Sequence, residues 1–463
     1  MQTLLTRYFA DFSFYKKTAA NALPLAIQQL LSSAMGIIDS LMVSWIGMVT
    51  AVGTATQIDT LCSMIAYGAI GGTGIFSAQF YGAKDFKNLK RTFGFSLVLG
   101  LLNASFWLFL AMFFGEAILR FYMSDTTVIK YGLDYLRIAQ FSMIPSCIAF
   151  AFSYVYRSIQ KASIPLRISI FSMVLNATLN YLFIFGKGPF PVMGVQGAAL
   201  GTLIAQCFAV TLYVVHGLYT KQPFLGSFKE MFSFDKHFIS LILRKIYPLI
   251  INEGFFGFGT TLFIKAFGIL GKQSMDAYYV GNQISNVFLF VVYGYGNAIQ
   301  VQLGHLLGSG KIDQAKRESD YCVGLSLILS IILVIAMIIF TNPMVAIFSL
   351  DDPLVVQYAR AIVRVFAVKI SMRLFNFMIF SVLRAGGDSK VISLLDAGIM
   401  YLIGIPIAFI SVSVFHIEDI AFVFLLVQFE QFVRLLFGMK RLNSGIWAND
   451  LTQLLNLPKC KNV

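Results

Sequence analysis

Charged residues are scarce in this sequence: Asp, Glu, Lys and Arg together form 12% of its 463 residues, whereas hydrophobic residues form 58%. A soluble globular domain carries about 25% charged residues. The deficit excludes the composition of an ordinary soluble enzyme or binding module. We therefore expect the chain to lie in a lipid bilayer.

Residues that bind metals or act as nucleophiles are also few. The four histidines are isolated and the five cysteines are scattered, so neither set has the spacing of a metal site or a disulfide framework. We interpret the four cysteines inside apolar runs as small core residues. Without nucleophile settings or nucleotide-binding loops, a membrane-embedded enzyme, a primary pump and a cofactor are not expected. The residues concerned are His216, His237, His305, His416, Cys62, Cys147, Cys207, Cys322 and Cys460.

Long apolar runs, in contrast, recur along the whole chain. A helix needs about 20 apolar residues to cross roughly 30 Å of hydrocarbon. Stretches such as LSLILSIILVIAMIIF lack the alternating pattern of a membrane β-barrel. We predict an all-α polytopic membrane protein with twelve transmembrane helices. The predicted spans are residues 21–46, 50–76, 92–115, 132–155, 165–186, 195–219, 246–271, 276–303, 319–341, 356–382, 391–413 and 419–439.

The basic residues predict the orientation. Most of the 35 lysines and arginines fall at the two chain ends and in the loops after even-numbered spans, which the positive-inside rule places in the cytoplasm. We expect both termini on the cytoplasmic side of a plasma (inner) membrane, with no cleaved signal peptide. The net charge of +13 then reports topology and contact with anionic headgroups, and it needs no nucleic acid.

The two halves of the sequence resemble each other at a constant offset of 226 residues. QFYGAKDFKNLKR, from Gln79, aligns with HLLGSGKIDQAKR, from His305. Each half holds six spans, an even number, so the repeats enter the membrane in the same sense, as parallel six-helix bundles around a central cleft. We predict an N-terminal bundle over 1–220 and a C-terminal bundle with a cytoplasmic tail over 246–463. Identical pairs in the alignment are Gln57 with Gln283, Tyr67 with Tyr293, Gly68 with Gly294, Gly82 with Gly308, and Arg91 with Arg317.

Residues 221–245 join the two predicted bundles. The segment is basic and aromatic, KQPFLGSFKEMFSFDKHFISLILRK, which predicts an interfacial helix on the cytoplasmic surface. A simple tether is the alternative that the sequence leaves open.

The first bundle contains a layer of polar residues. From the helical rise of about 1.5 Å per residue, we place Asp39, Gln57, Asp59, Asn180 and Thr202 roughly 9 to 14 Å below the outer face. Asn176 lies one turn deeper than Asn180 on the same helical face. Carboxylate, amide and hydroxyl oxygens are suitable ligands for H⁺ or Na⁺, and no Lys or Arg shares the layer to neutralise Asp39. The alternative is that these residues only cap backbone groups or join helices by hydrogen bonds.

Several motifs in order along the chain resemble the multidrug and toxic compound extrusion (MATE) family. They are PLAIQQLLSSAMGIIDSLMVSWIG from Pro24, QFYGAKD after the second span, LNATLNYLFIFG from Leu175 and MGVQGAALGT from Met193. The resemblance covers nearly the whole chain and implies a twelve-helix antiporter that exports drugs or metabolites against inward H⁺ or Na⁺ flow. It also implies a cation site, a possible Na⁺ site, formed by Asp39, Asn176, Asn180 and Thr202. Some members carry a second aspartate where this chain has Asn180, which leaves the ion open.

The second bundle carries a different set of polar residues. At the repeat position of Asp39 the offset gives Lys265, for which we expect a snorkelling side chain, so the cation layer is not duplicated. Estimated depths pair Glu430 with Lys369 and Glu253 with Arg373, and they leave Asp396 solvated near a cytoplasmic helix end. Structural ion pairs are one interpretation; a surface for an anionic or zwitterionic substrate, or a coupling relay, is the other. The candidate substrate or relay residues are Glu253, Lys369, Arg373, Glu430, Gln283 and Tyr293.

Two other transporter classes remain to be weighed. A lipid-linked oligosaccharide flippase could use the bases of the second bundle to hold a pyrophosphate, but acids are present beside them. A major-facilitator transporter is also six plus six, yet YGAKDFKNLKR matches its loop poorly. We expect a monomeric secondary antiporter with alternating access of two bundles, whose partners are the bilayer and a small amphipathic organic substrate.

Overall fold

Twelve long helices dominate the computed structural model, which describes residues 7–122, 125–348 and 352–456. No strand occurs in these ranges. The helices are α1 Phe12–Ser44, α2 Val49–Gly82, α3 Phe86–Tyr122, α4 Thr126–Ser158, α5 Ser163–Phe185, α6 Val195–Tyr219, α7 Lys236–Gly268, α8 Lys272–Gly308, α9 Ile312–Ala346, α10 Pro353–Ala385, α11 Ser389–Ser413 and α12 Ile420–Asn443. The predicted all-α polytopic fold is confirmed.

Eleven of these helices are long and apolar enough to cross a membrane. The exception among the twelve is α7, which is equally long at 33 residues. Its polar residues Asn252 and Glu253 and its several glycines lower the mean hydropathy of its central part. The chain is therefore a multi-pass membrane protein.

Aspartate caps set the start of several helices. The side chain of Asp125 accepts hydrogen bonds from the backbone N–H groups of Thr127 and Val128 at the start of α4. Asp352 and Asp419 cap α10 and α12 in the same way. Such caps satisfy N–H groups that have no partner inside the helix, so the helix ends follow directly from the sequence.

The chain packs as two compact units. One consists of Met1–Ala26 with Ile251–Val463, and the other is Ile27–Ile250. The chain passes from one unit to the other inside α1 and inside α7, two residues after Pro24 and Pro248 respectively. Proline removes a helical hydrogen bond, so each boundary falls beside a local weakness in its helix. The domain boundaries taken from the repeat, 1–220 and 246–463, remain a prediction.

Two glycines at equivalent positions of the repeat allow close helix packing, one in each unit. A Cβ on Gly68 of α2 would lie 2.8 Å from the Cα of Ile250 in α7. A Cβ on Gly294 of α8 would lie 2.6 Å from the Cα of Ala26 in α1. Because backbone atoms cannot move aside as a side chain does, both positions require glycine. In each unit, one helix segment comes from the other half of the sequence, and its backbone packs directly against a glycine of the unit.

The predicted interfacial helix over 221–245 is wrong. The segment instead forms a four-residue helix, Phe228–Met231, and from Lys236 onward it belongs to α7. Ser227 caps the short helix, and Asp235 accepts a hydrogen bond from the N–H of Phe238 at 2.9 Å. These two caps interrupt what composition alone presents as one amphipathic stretch.

The segment is also more than a simple tether within its unit. Lys90 of α3 forms an ion pair with Glu230 at 3.2 Å, and Arg91 forms one with Asp235 at 3.1 Å. The Arg91 guanidinium lies 4.3 Å from the centre of the Phe238 ring. The basic residues after α2 therefore fix the connection between α6 and α7.

The cysteine prediction holds in part. Cys62, Cys147 and Cys322 are buried, whereas Cys207 on α6 is exposed, so the core interpretation is wrong for Cys207. In a membrane-spanning helix an exposed thiol is compatible with its weakly polar character. Cys460 lies outside the described residues.

Candidate functional site

Asp39 of α1 begins a chain of hydrogen bonds that crosses three helices of one unit. Its Oδ1 accepts a hydrogen bond from Asn180 Nδ2 of α5 at 2.8 Å. Asn180 Nδ2 also donates to Asn176 Oδ1 at 3.3 Å, and Asn176 Nδ2 donates to Thr202 Oγ1 of α6 at 3.3 Å. Thr202 then donates to the carbonyl of Ala198 at 3.0 Å. The structure thus brings together the four residues predicted to form a cation site.

The two asparagines lie in the core, and Asp39 lies at its edge. Asn176 and Asn180 are 0% and 1% exposed, whereas Asp39 is half-buried. Helical spacing explains the arrangement: Asn176 and Asn180 are one turn apart and face the same side of α5. Asp39 is therefore more accessible to an ion than the two asparagines are.

Asn180 carries an acceptor that lacks a partner. Its Oδ1 is buried and accepts no hydrogen bond. It faces Gly201 of α6, where a Cβ would clash with this oxygen. An unsatisfied buried oxygen is costly, and together with Asp39, Asn176 and Thr202 it offers hard oxygen ligands of the kind that alkali cations prefer. The residues therefore fit a small monovalent cation.

Asp39 lacks a basic ion-pair partner in the part of the chain that the structure describes. Within residues 7–122, 125–348 and 352–456 it forms no ion pair with a lysine or arginine. The same ranges contain no group of three or more His, Cys, Asp and Glu side chains that could hold a metal ion. A single carboxylate with amide and hydroxyl partners suits one H⁺ or one Na⁺, and it does not suit a divalent metal.

Gln57 and Asp59 do not join this hydrogen-bonded chain. Gln57 is exposed, and its Nε2 donates to the carbonyl of Gly53 on its own helix at 3.3 Å. Asp59 is half-buried. The prediction rested on depth along α2, and depth says nothing about the direction in which a side chain points around the helix axis.

Tyr135 of α4 is a neighbour that the sequence did not reveal. It is 8% exposed, and it lies close enough to both Asp39 and Asp59 to interact electrostatically with them. A tyrosine inside an aromatic-rich span carries no distinguishing signal in the sequence, so only the packing of α4 identifies it.

The second set of candidate residues lies in the other unit, and its ion pairs differ from those predicted. Glu253 of α7 pairs with Arg384 of α10 at 3.8 Å, and not with Arg373. Glu430 of α12 pairs with Arg434 at 3.4 Å, and not with Lys369. Arg434 stands one turn from Glu430 on the same helix, so this pair needs no alignment between helices. The i,i+4 spacing was the signal that could have found it.

Asp396 of α11 is not solvated, as the sequence suggested, but pairs with Arg434 at 3.4 Å. Its Oδ2 also accepts a hydrogen bond from Asn252 Nδ2 of α7 at 3.1 Å. The backbone around it, Leu394–Gly398, is π-helical, and a second π-helical turn follows over Met400–Gly404. Such turns are rare and frequently occur at functional sites. A prediction based on the periodicity of an ordinary α-helix therefore places the Asp396 side chain on the wrong side of α11.

A cavity of about 220 Å³ lies within this unit. Lys369, Arg373, Tyr293, Glu430 and Arg434 are among the residues that line it. Arg373 Nη2 donates to the hydroxyl of Tyr293 at 3.4 Å. Gln283 is exposed, and neither Gln283 nor Glu253 lines this cavity. The structure therefore brings four of the six candidate substrate or relay residues to the cavity, whereas Glu253 pairs with Arg384 outside its lining.

Twelve long helices in two repeated halves, with polar residues buried inside each unit, are the architecture expected of a polytopic membrane transporter. The MatE family model matches residues 24–182 and again residues 248–410, starting at Pro24 and at the helical proline Pro248. The two matches cover well over half of the chain. The chain therefore belongs to the MATE family, which favours an exporter over the flippase considered above.

Individual relatives are distant but extend over most of the chain. The chain is 24% identical over 356 residues to the probable multidrug resistance protein YoeA of Bacillus subtilis, covering 76% of this chain and 77% of YoeA. It is 22% identical over 401 residues to the probable multidrug resistance protein NorM of Thermotoga maritima, covering 86% and 85%. A crystal structure of a mutant MATE transporter VcmN from Vibrio cholerae superposes with a TM-score of 0.85 at 16% identity, covering 94% of this chain and 98% of VcmN.

Proposed function

We propose that this chain exports small organic compounds from the cell in exchange for inward H⁺ or Na⁺ and alternates access to its substrate between the two sides of the membrane. The relatives named above are described as probable multidrug resistance proteins, which supports an exporter of drugs or similar amphipathic compounds. The protein acts as a monomer in the plasma (inner) membrane with both termini in the cytoplasm. The positive-inside distribution supports this orientation.

The observation that carries the proposal is the hydrogen bond between Asp39 and Asn180 in the absence of a basic partner for Asp39 among the described residues. A carboxylate within a membrane span is costly unless it is protonated, paired or bound to a cation. In the other unit, by contrast, Glu253, Asp396 and Glu430 each form an ion pair with an arginine. Asp39 therefore suits reversible binding of a small cation better than a permanent structural role.

The hydrogen-bonded chain supplies a path from ion binding to helix packing. When a cation neutralises Asp39, the hydrogen bond from Asn180 to its Oδ1 loses much of its strength, because bonds to charged groups are stronger than neutral ones. Asn180 is then free to rearrange with Asn176 and Thr202, which changes how α1, α5 and α6 pack. If this packing alters affinity for substrate, the two binding equilibria are reciprocally linked.

The test is transport of fluorescent organic dyes, one cationic and one anionic, by the purified protein in liposomes, under an imposed H⁺ gradient or an imposed Na⁺ gradient. We expect native transport to follow one of the two gradients, which identifies the ion. Asp39→Asn should abolish the gradient dependence, whereas Asp39→Glu, which keeps a carboxylate, should retain part of it. Asp276→Asn is the matched control, because it makes the same change at an exposed residue of α8.

Transport by Asp39→Asn at the native rate and with native ion dependence would refute the coupling role of Asp39. The fold and the family would stand in that case, and another group would have to bind the coupling ion.

A further inference from the structure

The charges around the cavity are unbalanced. This cavity lies in the unit formed by Met1–Ala26 and Ile251–Val463, which is called the second unit below. Three basic side chains, Lys369, Arg373 and Arg434, and one acidic side chain, Glu430, line it. Lys369 and Arg373 are four residues apart on α10 and thus on the same face, where like charges repel. The side chains that line the cavity therefore carry more positive than negative charge, and a bound anion would reduce this excess.

The acids of this unit are already engaged. Glu430 is 5% exposed; its Oε1 accepts from Gln431 Nε2 at 2.9 Å and its Oε2 from Arg434 Nη2 at 3.4 Å. Asp396 pairs with Arg434, and Glu253 pairs with Arg384. Among the described residues Glu430 forms its ion pair with Arg434 and none with Lys369 or Arg373, so its charge acts on these two bases only at longer range.

The two bases have neutral partners instead. Lys369 Nζ lies 5.0 Å from the ring centres of both Phe366 and Phe424. Arg373 lies 5.7 Å from the ring centre of Phe256, and Nη2 donates to Tyr293, while its Nε is buried with no hydrogen-bond partner. Within the described ranges neither base forms an ion pair. Aromatic rings keep the charges in place without neutralising them.

The geometry points to a binding site for a small aromatic anion, in which Lys369 and Arg373 hold a carboxylate or a similar acidic group and the surrounding rings pack against the aromatic part. This inference rests on the proposed export function and specifies its substrate class. Arginine offers a planar pair of N–H donors that matches a carboxylate, and lysine adds a point charge. The buried Nε of Arg373 is a donor that such a ligand could satisfy.

The size of the cavity limits the ligand. Pockets for drug-sized molecules have volumes of about 300 to 1,000 Å³, whereas this cavity has about 220 Å³. It suits an acid with one or two rings, or the anionic end of a larger compound.

The probe is 2-naphthoate, compared with neutral 2-naphthamide and cationic 2-naphthylmethylammonium, which share the ring system and differ in charge. Binding to the purified full chain is measured by isothermal titration calorimetry without any ion gradient. We expect 2-naphthoate to bind at least about tenfold more tightly than the other two, since hydrogen bonds to charged groups contribute enough for such a factor.

Two substitutions assign the binding to the cavity. Lys369→Gln and Arg373→Gln should each weaken 2-naphthoate binding by about tenfold or more and leave 2-naphthamide binding unchanged. Lys369→Arg, which keeps the charge, should retain most of the affinity. The matched controls are Arg364→Gln, on the exposed side of the same helix, and Lys265→Gln, an exposed lysine of the same unit; both should bind as the native protein does.

Three results would overturn the inference: no 2-naphthoate binding by the native protein, a cation that binds as tightly as the anion, or controls that lose as much affinity as the cavity variants. The ranking of the three probes on native protein decides the matter even if a cavity variant does not fold. Because no gradient is used, Asp39→Asn should still bind 2-naphthoate. If Asp39→Asn loses coupling but the native protein does not bind 2-naphthoate, this inference alone is refuted. If the native protein binds 2-naphthoate but Asp39→Asn keeps native coupling, the proposed function alone is refuted.

Discussion

The two units differ in the partners of the acidic residues at their candidate sites. In the unit Ile27–Ile250, Asp39 contacts an asparagine amide and no base among the described residues. In the other unit, Glu253, Asp396 and Glu430 each stand beside an arginine. The position that corresponds to Asp39 in the repeat is Lys265, which is exposed. The two halves thus share an arrangement of helices but differ in their charged residues. These differences are where a function should be sought.

The difference has an energetic meaning. Removing one partner of a buried ion pair leaves an uncompensated charge and costs about 3 to 5 kcal/mol. A carboxylate without a basic partner has no ion pair to lose, and it is available to bind ions from solvent. Stability should therefore depend on the charges of the second unit, and ion dependence on the charge of the first.

The largest expected effect comes from Arg434, which pairs with two acids. Arg434→Met should lower the free energy of unfolding by about 3 to 5 kcal/mol, because Asp396 and Glu430 lose their basic partner. Asp39→Asn should change stability far less. Thermal unfolding of the purified variants, monitored by circular dichroism, measures both. An equal loss in Arg364→Met, where the arginine is exposed, would contradict the assignment, as would an Asp39→Asn variant that is the less stable of the two.

A smaller effect tests what the two halves have in common. Gly68→Ala and Gly294→Ala each place a Cβ against backbone atoms, and such overpacking should destabilise each variant by about 1 to 3 kcal/mol. Gly53→Ala is the control, since nothing lies within 4 Å of its Cβ position, and it should gain about 0.5 to 1 kcal/mol. Thermal unfolding again supplies the measurement. Losses of similar size at Gly68 and Gly294 would support equivalent packing, and a loss at only one would break the equivalence.

The smallest effect concerns charges at the surface of the first unit. Hydrogen bonds from Ser227, followed by the nearby Lys90, lower the pKa of Glu230, and a hydrogen bond from the Phe238 N–H, followed by Arg91, lowers that of Asp235. A lowered folded-state pKa gives stabilisation that is present above the unfolded pKa and is lost as the pH falls through the folded value. The protection of residues 227–238 against hydrogen exchange, taken relative to the intrinsic exchange rate at each pH, should therefore fall slightly below about pH 4.

The variant Glu230→Gln with Asp235→Asn provides the comparison for that pH dependence. It should show the faster exchange already at neutral pH and little further change on acidification. Unaltered exchange at neutral pH would show that the caps and ion pairs do not hold the segment.

The sequence predicted the helices and the contact partners of Asp39 well because both depend on spacing along single helices. Hydropathy defines spans, and the one-turn separation of Asn176 and Asn180 fixes their common face. The predictions of ion pairs in the second unit were wrong because axial depth does not determine the angular direction of a side chain. Arg384 contacts Glu253 where Arg373 was expected, and the π-helical turn rotates Asp396 toward Arg434. Neither effect has a signal in hydrophobic periodicity.

The passage of the chain between units within α1 and α7 has a consequence for dividing the protein. Cutting the polypeptide between Tyr219 and Lys236 would give two fragments, and neither would contain a whole unit: the first would carry residues 12–26, which belong with the second unit, and the second would carry residues 236–250, which belong with the first. Each fragment would expose at Gly68 or Gly294 the groove left by the missing segment. Fragments produced separately should therefore be unstable, whereas fragments synthesised in the same cell should complement each other by exchanging these segments.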